Sequence, residues 1–166
     1  EKWAKEGEFI FAGSGPNFPT ALFSAAKVLE ASGDSALGQD MEEWGHLQYF
    51  AKIVKTPTFI ISAGDRDLSR ATEIAFAAKQ IGRSVVVVAP KSASELTKLG
   101  DHYFPVPEVK EMFSPLIYSI PGELFAAYLS EAKNEPYFRG FTGGRSIEGG
   151  GGISRIRTSE TWENWR

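Results

Sequence analysis

Four apolar runs, each closed by turn-forming residues, alternate along the chain with stretches of helical period. Glu8-Phe9-Ile10-Phe11-Ala12 is apolar on both faces after its first residue and runs into Gly13-Ser14-Gly15-Pro16-Asn17, a turn of residues tolerant of unusual backbone angles. Leu22, Ala25, Ala26 and Leu29 then recur on one face of a helix expected over Pro19–Ala31, with Gly33 near its end. Ser35–Gly45 is less regular, a short strand followed by the acidic Asp40-Met41-Glu42-Glu43-Trp44. Thr58-Phe59-Ile60-Ile61 is the next strand, and Leu68–Ile81 the next helix, closed by Gly82. Ser84-Val85-Val86-Val87-Val88-Ala89 is an unbroken β-branched run, the pattern of a parallel strand covered by helices on both faces. Tyr103-Phe104-Pro105-Val106 is weaker and belongs near an edge, since proline breaks the ladder. Glu111–Lys133 is apolar and helical but interrupted by Pro115 and Pro121. The β-α-β-α-β alternation predicts a parallel sheet in a three-layer α/β/α sandwich, with Val85–Val88 on an interior strand.

The pattern changes after Glu135. Seven of the thirteen residues from Gly140 to Gly152 are glycine, which cannot carry a core helix. Ile153–Arg157 is a possible strand, and Trp162 and Trp165 follow. The segment 140–166 is either a flap over a site or a loosely ordered terminus. A first strand with no complete helix ahead of it suggests a piece of a longer protein, or a domain whose upstream partner is absent.

Composition narrows the class. At 166 residues and 42% hydrophobic, the chain supports one core. A formal charge of -3 argues against nucleic-acid or anionic-membrane surfaces, and no apolar run approaches the roughly 20 residues of a membrane span. Cysteine is absent, which removes thiolate chemistry and fits a reducing cytoplasm. The only histidines are His46 and His102, too few for a His-rich metal centre.

The strand-to-helix turns are the places where an α/β sheet binds ligands. In the first, Ser14 is the candidate substrate contact, but Phe18 stands where a dinucleotide fingerprint needs its third glycine, and a tight structural turn explains the glycines equally well. In the second, Ser62-Ala63-Gly64-Asp65-Arg66-Asp67, the two aspartates oppose an anion and suit helix capping, so this is not the expected phosphate site. Glu30 and His46 form a candidate acid–base pair: enolisation of a sugar needs a base beside the carbonyl and an acid at an oxygen or a leaving amine. The plain alternatives are an exposed Lys27–Glu30 helix pair and a structural histidine. His102 and the tryptophans Trp44, Trp162 and Trp165 read as structural.

The segment Phe11–Leu22, continuing through Ala25-Ala26-Lys27-Val28-Leu29-Glu30, resembles the opening of a second sugar isomerase (SIS) domain. Its counterparts are the isomerase half of glucosamine-6-phosphate synthase and the fructosamine-6-phosphate deglycases. Glu42-Glu43-Trp44-Gly45-His46 resembles the family's histidine-bearing element, while Glu108–Glu111 and Ser114–Pro121 resemble the helix before its C-terminal tail. The likeness covers Glu8 to Arg139, giving a SIS domain at 1–139 and a tail at 140–166. It implies a flavodoxin- or Rossmann-like SIS fold and activity on a phosphorylated sugar or amino sugar, either aldose–ketose isomerisation or deglycation. It also implies an upstream first SIS domain holding the phosphate, a homodimer, and neither a metal nor an organic cofactor. Residue by residue, Glu30 matches the general base, His46 the acid or ring-opening histidine, and Lys27 an active-site lysine.

The chain also departs from the pattern. Phe23 replaces a second glutamate, and Leu47-Gln48 stands where Gly-Pro follows the histidine. No lysine follows Lys133, and Arg145 is the nearest match to the tail's reactive lysine. Arginine cannot form an imine, so glutamine-dependent synthesis is not expected. Ser62–Asp67 lacks the Ser/Thr-rich phosphate loop of first domains. A sugar-phosphate sensor without catalysis is the alternative class. Such a domain needs the phosphate loop and can lose the Glu/His pair, the reverse of what this chain shows.

Overall fold

The computed structural model describes residues 2–52 and 55–135. Five strands, β1 (Glu8–Gly13), β2 (Ser35–Gln39), β3 (Thr58–Ile61), β4 (Val85–Ala89) and β5 (His102–Pro105), form one sheet in the order β2-β1-β3-β4-β5. Every pairing is parallel. The helices are α1 (Asn17–Ala31), α2 (Met41–Leu47), α3 (Leu68–Gln80), α4 (Ser94–Thr97), α5 (Pro115–Tyr118) and α6 (Ile120–Ala132). All five residues of β4 are buried, as its β-branched run requires, and β5 lies at an edge.

Alternation along the strands builds two cores. Phe9, Phe11, Phe59, Ile61, Val86 and Val88 point to one face and pack beneath α1, α5 and α6. Here Phe11 stacks on Phe59 with centroids 4.5 Å apart, and Phe59 meets Phe125 at 4.6 Å. Ile10, Ala12, Ile60, Val85 and Val87 point to the other face, where Met41 and Trp44 of α2 and Ala71, Ile74, Ala75 and Ala78 of α3 cover them. Helix α1 is seated by two close approaches. A Cβ at Gly38 would come within 2.5 Å of the Leu22 backbone, and one at Gly122 within 2.2 Å of Ser24 Oγ. Only glycine lets α1 lie this near to β2 and α6.

Boundaries shift for local reasons. Helix α1 starts at Asn17, two residues before the expected Pro19, because a proline in the first turn forfeits no helical hydrogen bond. The expected helix 111–133 is three pieces: a 3₁₀ turn at Glu111–Phe113, then α5 beginning at Pro115, then α6 with Pro121 as its second residue. Each proline opens an element. The acidic block after β2 is helix α2, capped by Asp40, whose side chain accepts the Glu42 N–H at 2.9 Å. Asp40 with Glu43 three residues on has the capping-box spacing, the signal that marks this helix in the sequence. Helix α4 had no sequence expectation. The boundary at 139/140, the tail 140–166 and its possible strand lie outside the described residues.

Candidate functional site

Glu30 lies on the last turn of α1, its side chain 58% exposed. Its partner is Lys27, whose Nζ stands 2.7 Å from Oε2. Phe23, one turn earlier, places its ring 5.1 Å from that ammonium. The aromatic ring in place of a second carboxylate leaves Lys27 a single acidic partner in this group. Exposed pairs three residues apart contribute little stability, so a substrate can break this one at small cost.

His46 lies near the end of α2 and is exposed. Its Nδ1 stands 2.8 Å from the Glu42 carbonyl oxygen. A carbonyl can only accept, so Nδ1 carries the proton and Nε2 is the working nitrogen: a lone pair when the ring is neutral, a donor when it is charged. On the same helix, Glu42 Oε2 accepts from Arg70 Nη2 of α3 at 2.7 Å.

These two residues lie on the helices that precede and follow the edge strand β2 in the chain. Helix α1 covers one face of the sheet and α2 the other. Within one chain the structure does not bring Glu30 and His46 together; each is held by a neighbour on its own helix. Ser14 is half-buried in the turn before α1, where its carbonyl accepts the Asn17 N–H at 3.0 Å. The length of α1 puts Ser14 about 20 Å from Glu30 at 1.5 Å per residue, so the structure does not join Ser14 to Lys27 and Glu30 either. Arg145 lies outside the described residues.

The turn at Ser62–Asp67 is occupied by its own groups. Ser62 Oγ donates to Asp67 Oδ1 at 2.8 Å and accepts the Gly64 N–H at 3.0 Å. Burial pushes the Asp67 carboxyl above its ordinary range, against the Ser62 hydrogen bond and with the Glu111 charge adding to the rise. Arg66 Nε donates to Glu111 Oε2 at 2.7 Å. These internal partners leave little for an anion to gain here. The last lysine of the chain is engaged as well: Lys133 Nζ donates to Asp34 Oδ1 at 2.7 Å and to the Glu6 carbonyl at 2.8 Å. His102 packs edge-to-face on Trp3 at 4.9 Å, in keeping with a structural role.

A five-stranded parallel sheet covered by helices on both faces is the architecture of the sugar isomerase domains, and solved structures bear this out. The C-terminal domain of glucosamine-fructose-6-phosphate aminotransferase from Francisella tularensis superposes with a TM-score of 0.75 at 17% identity, covering 82% of this chain and 39% of that one. Tagatose-6-phosphate ketose/aldose isomerase from Escherichia coli gives 0.63 at 17% identity, covering 78% and 36%. No model of a known protein family matches the chain. In sequence it is 32% identical over 123 residues to a glutamine–fructose-6-phosphate aminotransferase (isomerizing) of Thermosynechococcus vestitus, and 32% identical over 133 residues to that of Synechocystis sp.. These stretches make up 74% and 78% of this chain but only 20% of each relative, so the chain spans about a fifth of their length. By fold and homology the chain is a SIS domain. Its sequence relatives set it beside the isomerase part of the glutamine–fructose-6-phosphate aminotransferases. Among the described residues no helix is long and apolar enough to cross a membrane.

Proposed function

We propose that the chain is the C-terminal SIS half of an enzyme acting on a phosphorylated sugar or amino sugar, by aldose–ketose isomerisation or by release of an amine from a fructosamine 6-phosphate. Glu30 removes the proton from the carbon beside the carbonyl and returns it to the neighbouring carbon. His46 passes a proton through Nε2 to the ring oxygen or to the leaving amine. Lys27, already beside Glu30, offsets negative charge on the bound substrate, and an upstream SIS domain holds the phosphate.

The observation that carries this reading is the presentation of the pair. In a chain homologous to isomerizing enzymes, both reactive groups are exposed on the two helices joined by β2, and the geometry of His46 leaves Nε2 open. Because α1 and α2 cover opposite faces, one substrate meets both groups only when another protein surface completes the site. A homodimer supplies such a surface. The exposed Leu22, Leu29, Leu116, Leu124 and Tyr128 on the α1, α5 and α6 layer suit further protein contact.

His46→Ala tests the role of the acid. In the complete enzyme this change should slow turnover of ring-closed phosphosugars about tenfold more than turnover of ring-opened ones, a part of the usual general acid–base contribution. Steady-state kinetics on a closed and an open-chain substrate give the ratio. Equal losses on both would remove His46 from ring opening. Binding of phosphosugars with no interconversion or amine release by the wild type would favour the sensor class.

A further inference from the structure

Arg83, between α3 and β4, is only 2% exposed, yet no carboxylate is bonded to it among the described residues. Its Nη2 donates to the Gln48 backbone carbonyl at 3.2 Å and to Gln48 Oε1 at 3.1 Å. The guanidinium carbon stands 5.8 Å from the centroid of the Trp44 ring. Among the described residues, Nε and Nη1 have no hydrogen-bond partner. Burying a guanidinium with two of its three nitrogens unpaired costs stability, and an apolar side chain of similar size would avoid that cost. Packing alone therefore does not ask for arginine at this position.

What Arg83 holds is informative. Trp44 and Gln48 stand two residues before and two residues after His46. The start of the same helix is held from α3, where Arg70 donates to the carboxylate of Glu42, the residue whose carbonyl receives His46 Nδ1–H. Arginines thus grip α2 at both ends, and the one at the His46 end is buried with only Nη2 bonded. We infer that Arg83 is a positioning residue for His46: by gripping Trp44 and Gln48 it fixes the last turn of α2, and with it the ring that donates from Nδ1 and presents Nε2. The inference deepens the reading of His46 as the acid and rests on it, but its first test needs no turnover.

Selective ¹⁵N-histidine labelling of the 166-residue chain gives two rings, and His46→Gln assigns them. In the wild type the neutral His46 ring should carry its proton on Nδ1. In Arg83→Met it should become a mixture of both tautomers, while the melting temperature stays the same or rises. A folded Met variant whose His46 ring keeps the wild-type signature overturns the inference. Should Met prevent folding, Arg83→Lys reads the same quantity: its single ammonium cannot reproduce the guanidinium grip, so a partial shift is expected and an unchanged ring again overturns the inference. In the complete enzyme, Arg83→Met should lower kcat about tenfold with KM changed less than about twofold, the pattern of a misplaced group rather than lost binding. A ring that shifts in an enzyme whose turnover ignores His46 would sink the acid assignment and leave the grip on α2 standing.

Discussion

Glu30→Gln in the complete enzyme should lower kcat on the natural phosphosugar by about two or more powers of ten, the usual scale for a lost general base. The effect should fall on kcat far more than on KM, because the base acts as the proton leaves carbon and adds little to ground-state binding. Glutamine keeps the size of glutamate and can still bond Lys27, which now stands 2.7 Å from the carboxylate. At this exposed position the change removes no buried contact, and circular dichroism on the variant checks that the fold is kept. Initial rates at saturating and at low substrate separate the two constants. Turnover near the wild-type level, with the phosphosugar still bound, would remove Glu30 from the mechanism.

The second large effect is on stability. Phe59 is buried on the central strand β3, stacked on Phe11 and in contact with Phe125. Phe59→Ala empties the middle of the larger aromatic cluster and should cost about 3–5 kcal/mol, out of the roughly 5–15 kcal/mol that holds a domain of this kind folded. Phe76, exposed on α3, is the control, and Phe76→Ala should change stability by no more than about 0.5 kcal/mol. Urea unfolding followed by circular dichroism measures both. A Phe59→Ala loss no larger than that of Phe76→Ala would mean that the layer under α1, α5 and α6 is not packed as described.

Residues whose pattern is strictly local were legible in the sequence. The run Val85–Val88 suits a covered parallel strand, which it forms, and the period of Leu68–Ile81 matches α3 to within a residue. The acidic block after β2 was harder, because its helix is short and its apolar signal is only Met41 and Trp44; the cap at Asp40 carries the information instead. In the sequence the prolines at 115 and 121 look like interruptions of one helix, whereas each serves as a start.

The site was legible only in part. Glu30 and His46 stand out in the sequence only as candidates, Lys27 enters by resemblance alone, and the Lys27–Glu30 pair exists as helix spacing suggests. Sequence cannot tell that α1 and α2 cover opposite faces, since that depends on β2 lying at the sheet edge and the chain passing around it. Arg83 carried no signal at all. It stands in an ordinary turn before a strand, and its tie to Gln48 spans 35 positions, so only the folded chain shows it.

The central claim is that Glu30 takes a proton from carbon, and solvent isotope incorporation tests it most directly. With the complete enzyme in D₂O, the phosphosugar should gain deuterium at the carbon beside the carbonyl, since a carboxylic acid exchanges its proton with solvent between removal and return. The same experiment with Glu30→Gln should show no incorporation while the phosphosugar still binds. Deuterium entering at the wild-type rate in the variant would contradict the account.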